Sequence, residues 1–417
     1  MALPVDSVVN RSIFRTLNYG TLDLYSSTII FRLREEDYMV YVTLKQHRKP
    51  KQLKWEDVLY ETVSPNQLNQ ESDSAATITR KMETISNEIL QKVDIQRMIL
   101  AFKRFNEDNE ELFKQNRNSL YSTFYIPKAT GGYRRIDAPN EELKSALSRL
   151  AHILTDTCGV LYHTSAYAYV PERCVQDVAK KHVKAKSKWY LKTDLSGFFP
   201  STTLDFTMKM LSKVFPVSEV IRNKDGNEQV RKALSLGFLN GSLPQGSPLS
   251  PTLTNMIFIP IDHALFGHFS RCKLVYTRYA DDTHISGQER FPYKKVIEYM
   301  KETFKRFDAP YSIKPEKTHF GSFKGENWML GMMLNGNYDV TVGYKAKKYM
   351  NAALCSFILD TKNKKYWDVG DVMHLQGQLN WYMSVEKNYF KAMIEKVNKK
   401  WGVDVRTMIK AYISGKI

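Results

Sequence analysis

Apolar positions recur in short bursts near the start of the chain. Residues 27–31 and 38–42 alternate as strands do and are rich in β-branched and aromatic side chains. Residues 64–76 are Ser, Asn, Gln and Asp with almost no apolar member, the pattern of a linker or exposed loop. A helical period then runs over residues 77–114, carried by Ile85, Ile89, Leu90, Val93, Met98, Leu100 and Phe102. Two short apolar runs around Gly131-Gly132 predict a β-hairpin over residues 124–136. An amphipathic helix is expected over 141–157, with Leu143, Leu147, Leu150 and Leu154 on its core stripe. Residues 188–194 read as a strand ending at Asp194, followed by the aromatic pair Phe198 and Phe199. The Gly/Pro-rich stretch 241–251 feeds an apolar helix over 253–269, with Ser250 or Thr252 as its cap. Residues 274–287 place two apolar, β-favouring runs around Tyr279-Ala280-Asp281-Asp282, which predicts a second hairpin with adjacent carboxylates at its turn. Helices are expected again over 372–385 and 389–400.

Length and composition narrow the class. A chain of 417 residues with 43% hydrophobic content can fill two or three packed subdomains. Against 44 Asp plus Glu stand 61 Lys plus Arg, a net charge of +17, which calls for a polyanionic partner such as nucleic acid or an anionic membrane surface. No run of about 18 apolar residues occurs, and the N-terminus lacks a basic-then-apolar leader, so a cytoplasmic protein without a membrane span is expected. Cys158, Cys174, Cys272 and Cys355 have no paired spacing, so buried thiols are expected rather than a zinc site or disulfides. A basic patch at Lys45, His47, Arg48, Lys49, Lys51 and Lys54 suits either a nucleic-acid backbone or a solvated loop.

The carboxylates carry the chemistry. Side chains alternate faces along a strand, so Asp281 and Asp282 diverge unless the turn bends the backbone between them. Adjacent negative charges are costly unless cations offset them, and hard divalent ions with oxygen ligands do so. Asp194 would join them only if its strand neighbours theirs. Lys128, Arg134 and Arg135 cluster on the first hairpin, where an arginine fork matches the paired oxygens of a phosphate. Each feature alone also fits a solvated hairpin tip or a polar loop.

Taken together and in order, these pieces resemble the reverse-transcriptase family. The match comprises the basic hairpin through Tyr133-Arg134-Arg135-Ile136-Asp137-Ala138-Pro139, then Asp194-Leu195-Ser196-Gly197-Phe198-Phe199-Pro200-Ser201, then Leu243-Pro244-Gln245-Gly246-Ser247-Pro248, then Tyr279-Ala280-Asp281-Asp282. Ile313-Lys314-Pro315-Glu316-Lys317-Thr318 and Trp328-Met329-Leu330-Gly331 follow, similar to the next palm motif and the primer-contacting turn. The style is that of bacterial retron, group II intron and defence-associated enzymes. Two departures from retron hallmarks, Val178-Ala179-Lys180-Lys181-His182 and Met329-Leu330-Gly331, favour an unclassified, defence-associated member.

The resemblance implies an α+β right-hand polymerase: an N-terminal extension (1–76), fingers with part of the palm (77–190), a palm with an antiparallel sheet (191–335) and a helical thumb (336–417). It implies RNA-directed DNA synthesis with two Mg²⁺ ions, Mn²⁺ being a substitute. Asp194 and Asp281 bridge them, Asp282 supports, and the Leu195 carbonyl is an extra ligand. Lys128, Arg134 and Arg135 would take the triphosphate, with Arg135 able to replace Arg134. Phe199 would exclude a ribose 2′-hydroxyl, Gln245 would pack near the incoming nucleotide, and Lys317 would lie near the pyrophosphate. Tyr279, Trp328 and Gly331 would meet primer or template. The implied partners are an RNA template, expected to be a dedicated non-coding RNA of an antiphage system, a DNA primer or product, and dNTPs, with no membrane and with oligomerisation open. Two rivals remain: template-independent or protein-primed synthesis at the same site, and an inactive nucleic-acid-binding scaffold.

Overall fold

A computed structural model describes residues 28–32, 39–43 and 94–416, apart from 129–130, 161, 323, 325–326 and 336–338. The expected helix over 77–93, the basic patch at 45–54 and the linker at 64–76 lie outside these residues. The two early strand patterns form an antiparallel pair, β1 (Thr28–Arg32) and β2 (Met39–Thr43).

The long helical pattern resolves into α1 (Ile95–Asp108) and α2 (Glu110–Lys114), separated at Asn109. Asp94 caps α1, its carboxylate accepting from Arg97 N at 2.8 Å. The first hairpin consists of β3 (Tyr121–Pro127) and β4 (Tyr133–Pro139), and α3 (Glu141–His152) follows it, ending in a π-turn over Ile153–Thr157. Leu143, Leu147 and Leu150 of α3 are wholly buried, as their spacing predicts. Next come α4 (Val175–Lys184), β5 (Trp189–Ser196), α5 (Leu204–Leu211), α6 (Val217–Arg222) and α7 (Lys224–Ser235).

The apolar stretch expected as one helix over 253–269 is two, α8 (Leu249–Ile257) and α9 (Ile259–Arg271). The break falls at Phe258, just before Pro260, whose ring and missing N–H favour a first-turn position over a helix interior. Neither Ser250 nor Thr252 caps α8. Ser247 Oγ instead accepts from Leu249 N at 3.2 Å, and the Ser250 hydroxyl donates back to the Pro244 carbonyl at 2.8 Å. After the second hairpin, β6 (Val275–Tyr279) and β7 (Asp282–Gly287), come α10 (Tyr293–Arg306), β8 (Ser312–Ile313), β9 (His319–Ser322), β10 (Asn327–Met329), β11 (Met332–Leu334) and β12 (Val340–Thr341). Four helices close the chain: α11 (Tyr344–Lys362), α12 (Val369–Val385), α13 (Lys387–Trp401) and α14 (Val405–Ile413).

The central sheet has the strand order β6-β7-β5-β8, with β9 also pairing β5. Strands β8 and β9 are both antiparallel to β5. Two compact units emerge, interleaved in sequence. The first takes residues 1–172, 193–283 and 294–316, and the second 173–192, 284–293 and 317–417. In the first, Phe198, Phe258 and Tyr311 pack ring on ring with centroids 5.0–5.7 Å apart. In the second, Met350, Leu354, Phe357 and Ile358 of α11 line a core shared with Val372, Leu375 and Phe390. Each such side chain contributes roughly 1.5–3 kcal/mol on burial. Gly402, at φ +67°, ends α13 in the left-handed turn that glycine adopts without strain. Cys158 is buried, but Cys174 and Cys272 are exposed, because one starts α4 and the other follows the end of α9 at the surface. Among the described residues no helix is long and apolar enough to cross a membrane.

Candidate active site

Asp194 lies within β5, two residues before its end, and is only 5% exposed. The Leu195 N–H donates to the Asp281 carbonyl at 3.0 Å, and the hydroxyls of Thr193 and Thr283 meet at 2.5 Å, so the strand bearing Asp194 lies directly beside the Asp281-Asp282 turn. Ala280 takes φ +55°, which bends the backbone where the two carboxylates would otherwise diverge. Asp281 and Asp282 are half-buried. Burial pushes the Asp281 carboxyl above its usual range, and the charges of Asp194 and Asp282 push it the same way, while Lys314 pulls it down. Lys314 Nζ reaches Asp194 Oδ1 at 2.5 Å, and its N–H donates to the Asp194 carbonyl at 3.0 Å. Among the described residues, no three His, Cys, Asp or Glu side chains are drawn into a ready ion-holding cluster. The charges of Asp194 and Asp282 that raise the Asp281 carboxyl favour a nearby cation, and in this arrangement the Lys314 ammonium takes that place on one Asp194 oxygen. Carboxylate oxygens are the donors that hard divalent cations take, so the chemistry of Asp194, Asp281 and Asp282 fits such an ion.

Arg278, two residues before the turn's first bend, carries a role that the motif match did not single out. It is fully buried, with its guanidinium clamped on Asp262: Nε to Oδ1 at 2.9 Å and an Nη to Oδ2 at 2.7 Å. The other Nη donates to Asn255 Oδ1 and to the Ala280 carbonyl, both at 3.1 Å. Tyr276 donates to the same Asp262 at 2.8 Å, and Phe258 faces the guanidinium at 4.6 Å. The turn that carries Asp281 is therefore held from inside by a buried ion pair. An arginine on the same strand face as Tyr276, within an apolar run, was the available signal.

On the first hairpin, Arg134 pairs with Ile126 and Arg135 with Tyr125, so the two arginines face opposite ways. Arg135 is drawn to Asp137 at 2.9 Å, and Thr123 donates to that same carboxylate at 2.7 Å. Alternation sends Arg135 to the opposite face from Arg134, where Asp137 engages it, so the expectation that Arg135 replaces Arg134 would require it to leave that ion pair. Lys128 is exposed at the hairpin end. Gln245 is half-buried, and its carbonyl accepts from Asp137 N at 2.7 Å, which ties the Gly/Pro-rich loop to the hairpin's root. Gly246, at φ +120°, lets the backbones meet: a Cβ there would come within 2.8 Å of the Asp137 carbonyl oxygen.

Phe199 is half-buried beyond Asp194, whereas Phe198 turns into the ring cluster and is 5% exposed. Tyr279 is half-buried at the end of β6. Lys317, Trp328 and Gly331 belong to the second unit. There Lys317 is exposed in a short 3₁₀ turn, and Leu330-Gly331, both at positive φ, form the turn of the β10–β11 hairpin. Trp328 is 47% exposed and lies against Gly343, where a Cβ would approach its ring to 3.1 Å. His182 is buried on α4, its Nδ1 2.6 Å from Ser286 Oγ, which donates to Ser187 Oγ at 2.7 Å. The histidine of the altered retron hallmark thus fixes α4 to β7 through a hydroxyl relay.

Residues 126–350 match the family described as Reverse transcriptase (RNA-dependent DNA polymerase). The retron Ec83 reverse transcriptase of Escherichia coli is 28% identical over 74% of this chain and 95% of its own length. The retron Mx65 reverse transcriptase of Myxococcus xanthus is 29% identical over 52% of this chain and 51% of its own. A solved telomerase from Candida albicans, in complex with a fragment of telomeric RNA, aligns at a TM-score of 0.40 and 14% identity over 70% of this chain and 59% of that one. A family match over more than half the chain, with a retron relative covered almost end to end, places this α+β right-hand polymerase among the RNA-directed DNA polymerases: the chain belongs to the reverse-transcriptase family and is retron-like.

Proposed function

We propose that this reverse transcriptase adds dNTPs by two-metal nucleotidyl transfer at Asp194, Asp281 and Asp282, copying a dedicated non-coding RNA in bacterial antiphage defence. The observation that carries the site is the 3.0 Å bond from Leu195 N to the Asp281 carbonyl, which joins the strand of one carboxylate to the turn of the other two. The three carboxylates, with the Leu195 carbonyl, would hold Mg²⁺ or Mn²⁺. When bound, such ions lower the charge on the attacking and departing oxygens. The chain's own residues orient the reactants. Arg134 and Lys128 bind the triphosphate, Lys317 lies near the departing pyrophosphate, and Gln245 packs beside the incoming nucleotide. Tyr279, Trp328 and Gly331 guide primer and template. In this reading residues 77–190 serve as fingers, 191–335 as palm and 336–417 as thumb. The defence role and the dedicated RNA are what the resemblance to bacterial retron and defence-associated enzymes implies, and the nucleic acid that co-purifies with the protein tests them. One structured RNA joined to its own cDNA is the expected finding, and a heterogeneous cellular RNA pool refutes it.

Two substitutions test the nucleotide contacts. Phe199→Ala removes the ring placed beneath the sugar and is expected to reduce discrimination against ribonucleotides roughly ten- to two-hundred-fold. A variant that still rejects rNTPs removes Phe199 as the gate. Arg134→Ala is expected to raise the dNTP KM by about tenfold or more, the loss of one charged hydrogen bond. Arg135→Ala, on the other face, should stay within about twofold. Equal losses from both would contradict the opposed faces.

A further inference from the structure

Residues 165–167 run parallel beside β6, and a turn at 168–169 follows. Ala166 bridges Arg278, Tyr167 N donates to the Arg278 carbonyl at 2.9 Å, and Arg278 N donates to the Ser165 carbonyl at 2.7 Å. Asn255 Nδ2 then holds the Ala168 carbonyl at 2.7 Å. Arg278 holds this segment through its backbone and the Asp281 turn through its side chain, and the Asn255 side chain bonds both the Ala168 carbonyl and the Arg278 guanidinium, so the segment and the turn share one buried frame. Tyr169 follows at the end of this brace with φ +57°, a left-handed backbone that tyrosine seldom adopts. Its neighbours Ala168 and Val170 are buried at 1% and 9%, yet Tyr169 itself is 57% exposed. A braced, strained backbone that presents an aromatic ring to solvent is not explained by core packing.

The bridge of Ala166 to Arg278, three residues before Asp281, and the bond from Asn255 to the Ala168 carbonyl set Tyr169 beside the end of β6, where the Asp281 turn begins. In keeping with that placement, burial first, and then Asp281 and Tyr279, raise the Tyr169 phenol's pKa above its ordinary value, and Arg134 opposes the rise. Aromatic rings in such places stack on nucleobases with little regard to base identity, because every base has a π-face. Resting on the polymerase-site reading above, we infer that Tyr169 is a wall of the nucleotide site and packs its ring against the base pair being formed. It is a positioning residue that sets how tightly the incoming dNTP is held.

The test is single-nucleotide incorporation on a primed RNA, with KM and kcat measured separately. Tyr169→Gly removes the ring and suits the left-handed backbone, so the substitution itself relieves strain, and thermal melting checks that the protein is folded. It is expected to raise the dNTP KM by about 5- to 150-fold, the range for losing one base-stacking contact, with a smaller change in kcat. Tyr169→Phe and Tyr169→Trp keep a flat ring and should restore most of the affinity. A folded Tyr169→Gly with unchanged KM overturns the inference, as does Tyr169→Phe behaving like Tyr169→Gly. Asp281→Asn, run alongside, separates the two levels. If Asp281→Asn is inactive while Tyr169→Gly keeps its KM, only the role of Tyr169 fails. If Asp281→Asn incorporates nucleotide normally, the site reading itself fails.

Discussion

Asp281→Asn is expected to reduce dNTP incorporation by about a thousandfold or more while leaving primed-RNA binding nearly unchanged. The size follows from charge stabilisation worth several kcal/mol at a site where each 1.4 kcal/mol is tenfold in rate. The same substitution should raise the thermal midpoint of the metal-free protein. Burial and the neighbouring charges of Asp194 and Asp282 push the Asp281 carboxyl upward from 3.8, so the folded state favours its neutral form. Its stabilising contribution is complete below that ordinary value and is lost as pH rises through the elevated one. The gain from asparagine should therefore be present at neutral pH and fade as the pH falls towards about 4. Thermal melts at both pH values check the sign. An asparagine variant that is less stable at neutral pH would contradict the picture of crowded, repelling carboxylates.

The second large effect is structural. Arg278→Met leaves Asp262 buried without its cation and is expected to destabilise the protein by about 3–5 kcal/mol. Activity should fall with it, because the Ala280 carbonyl loses the donor that holds the Asp281 turn. Arg278→Lys should rescue little, since an ammonium cannot reproduce the two-point clamp on Asp262. Pairing Arg278→Met with Asp262→Leu removes the orphaned charge and should regain much of the stability but not the activity. Chemical denaturation separates these outcomes. A lone Arg278→Met within about 1 kcal/mol of wild type would show that the buried pair is not what holds the turn.

Much of this was legible in the sequence for identifiable reasons. Period-2 runs around Gly131-Gly132 and around Ala280-Asp281 encode both hairpins, and leucines at helical spacing encode α3. The split of the 249–271 stretch at Phe258 was hidden because its residues are apolar on either side of the break, and periodicity cannot mark where a proline restarts a helix. The opposed faces of Arg134 and Arg135 follow from strand alternation once the register is known, but the register itself is set by pairing with Phe124, Tyr125 and Ile126. The Arg278–Asp262 pair joins residues on a strand and a helix, and the segment before Tyr169 is tied to Arg278, more than a hundred positions away, by a bridge at Ala166. Such long-range polar frames leave no periodic trace. The interleaving of the two compact units along the chain likewise leaves no periodic trace.

The measurement that bears most directly on the central claim is the number of Mn²⁺ ions bound per chain, read by electron paramagnetic resonance with primed RNA and a non-reactive dNTP analogue present. Two ions are expected for the wild type, falling to fewer than two in Asp194→Asn and in Asp281→Asn. A wild-type protein that binds fewer than two under these conditions, or variants that bind as many as it does, would contradict the assignment of Asp194, Asp281 and Asp282 as the seat of the metal pair.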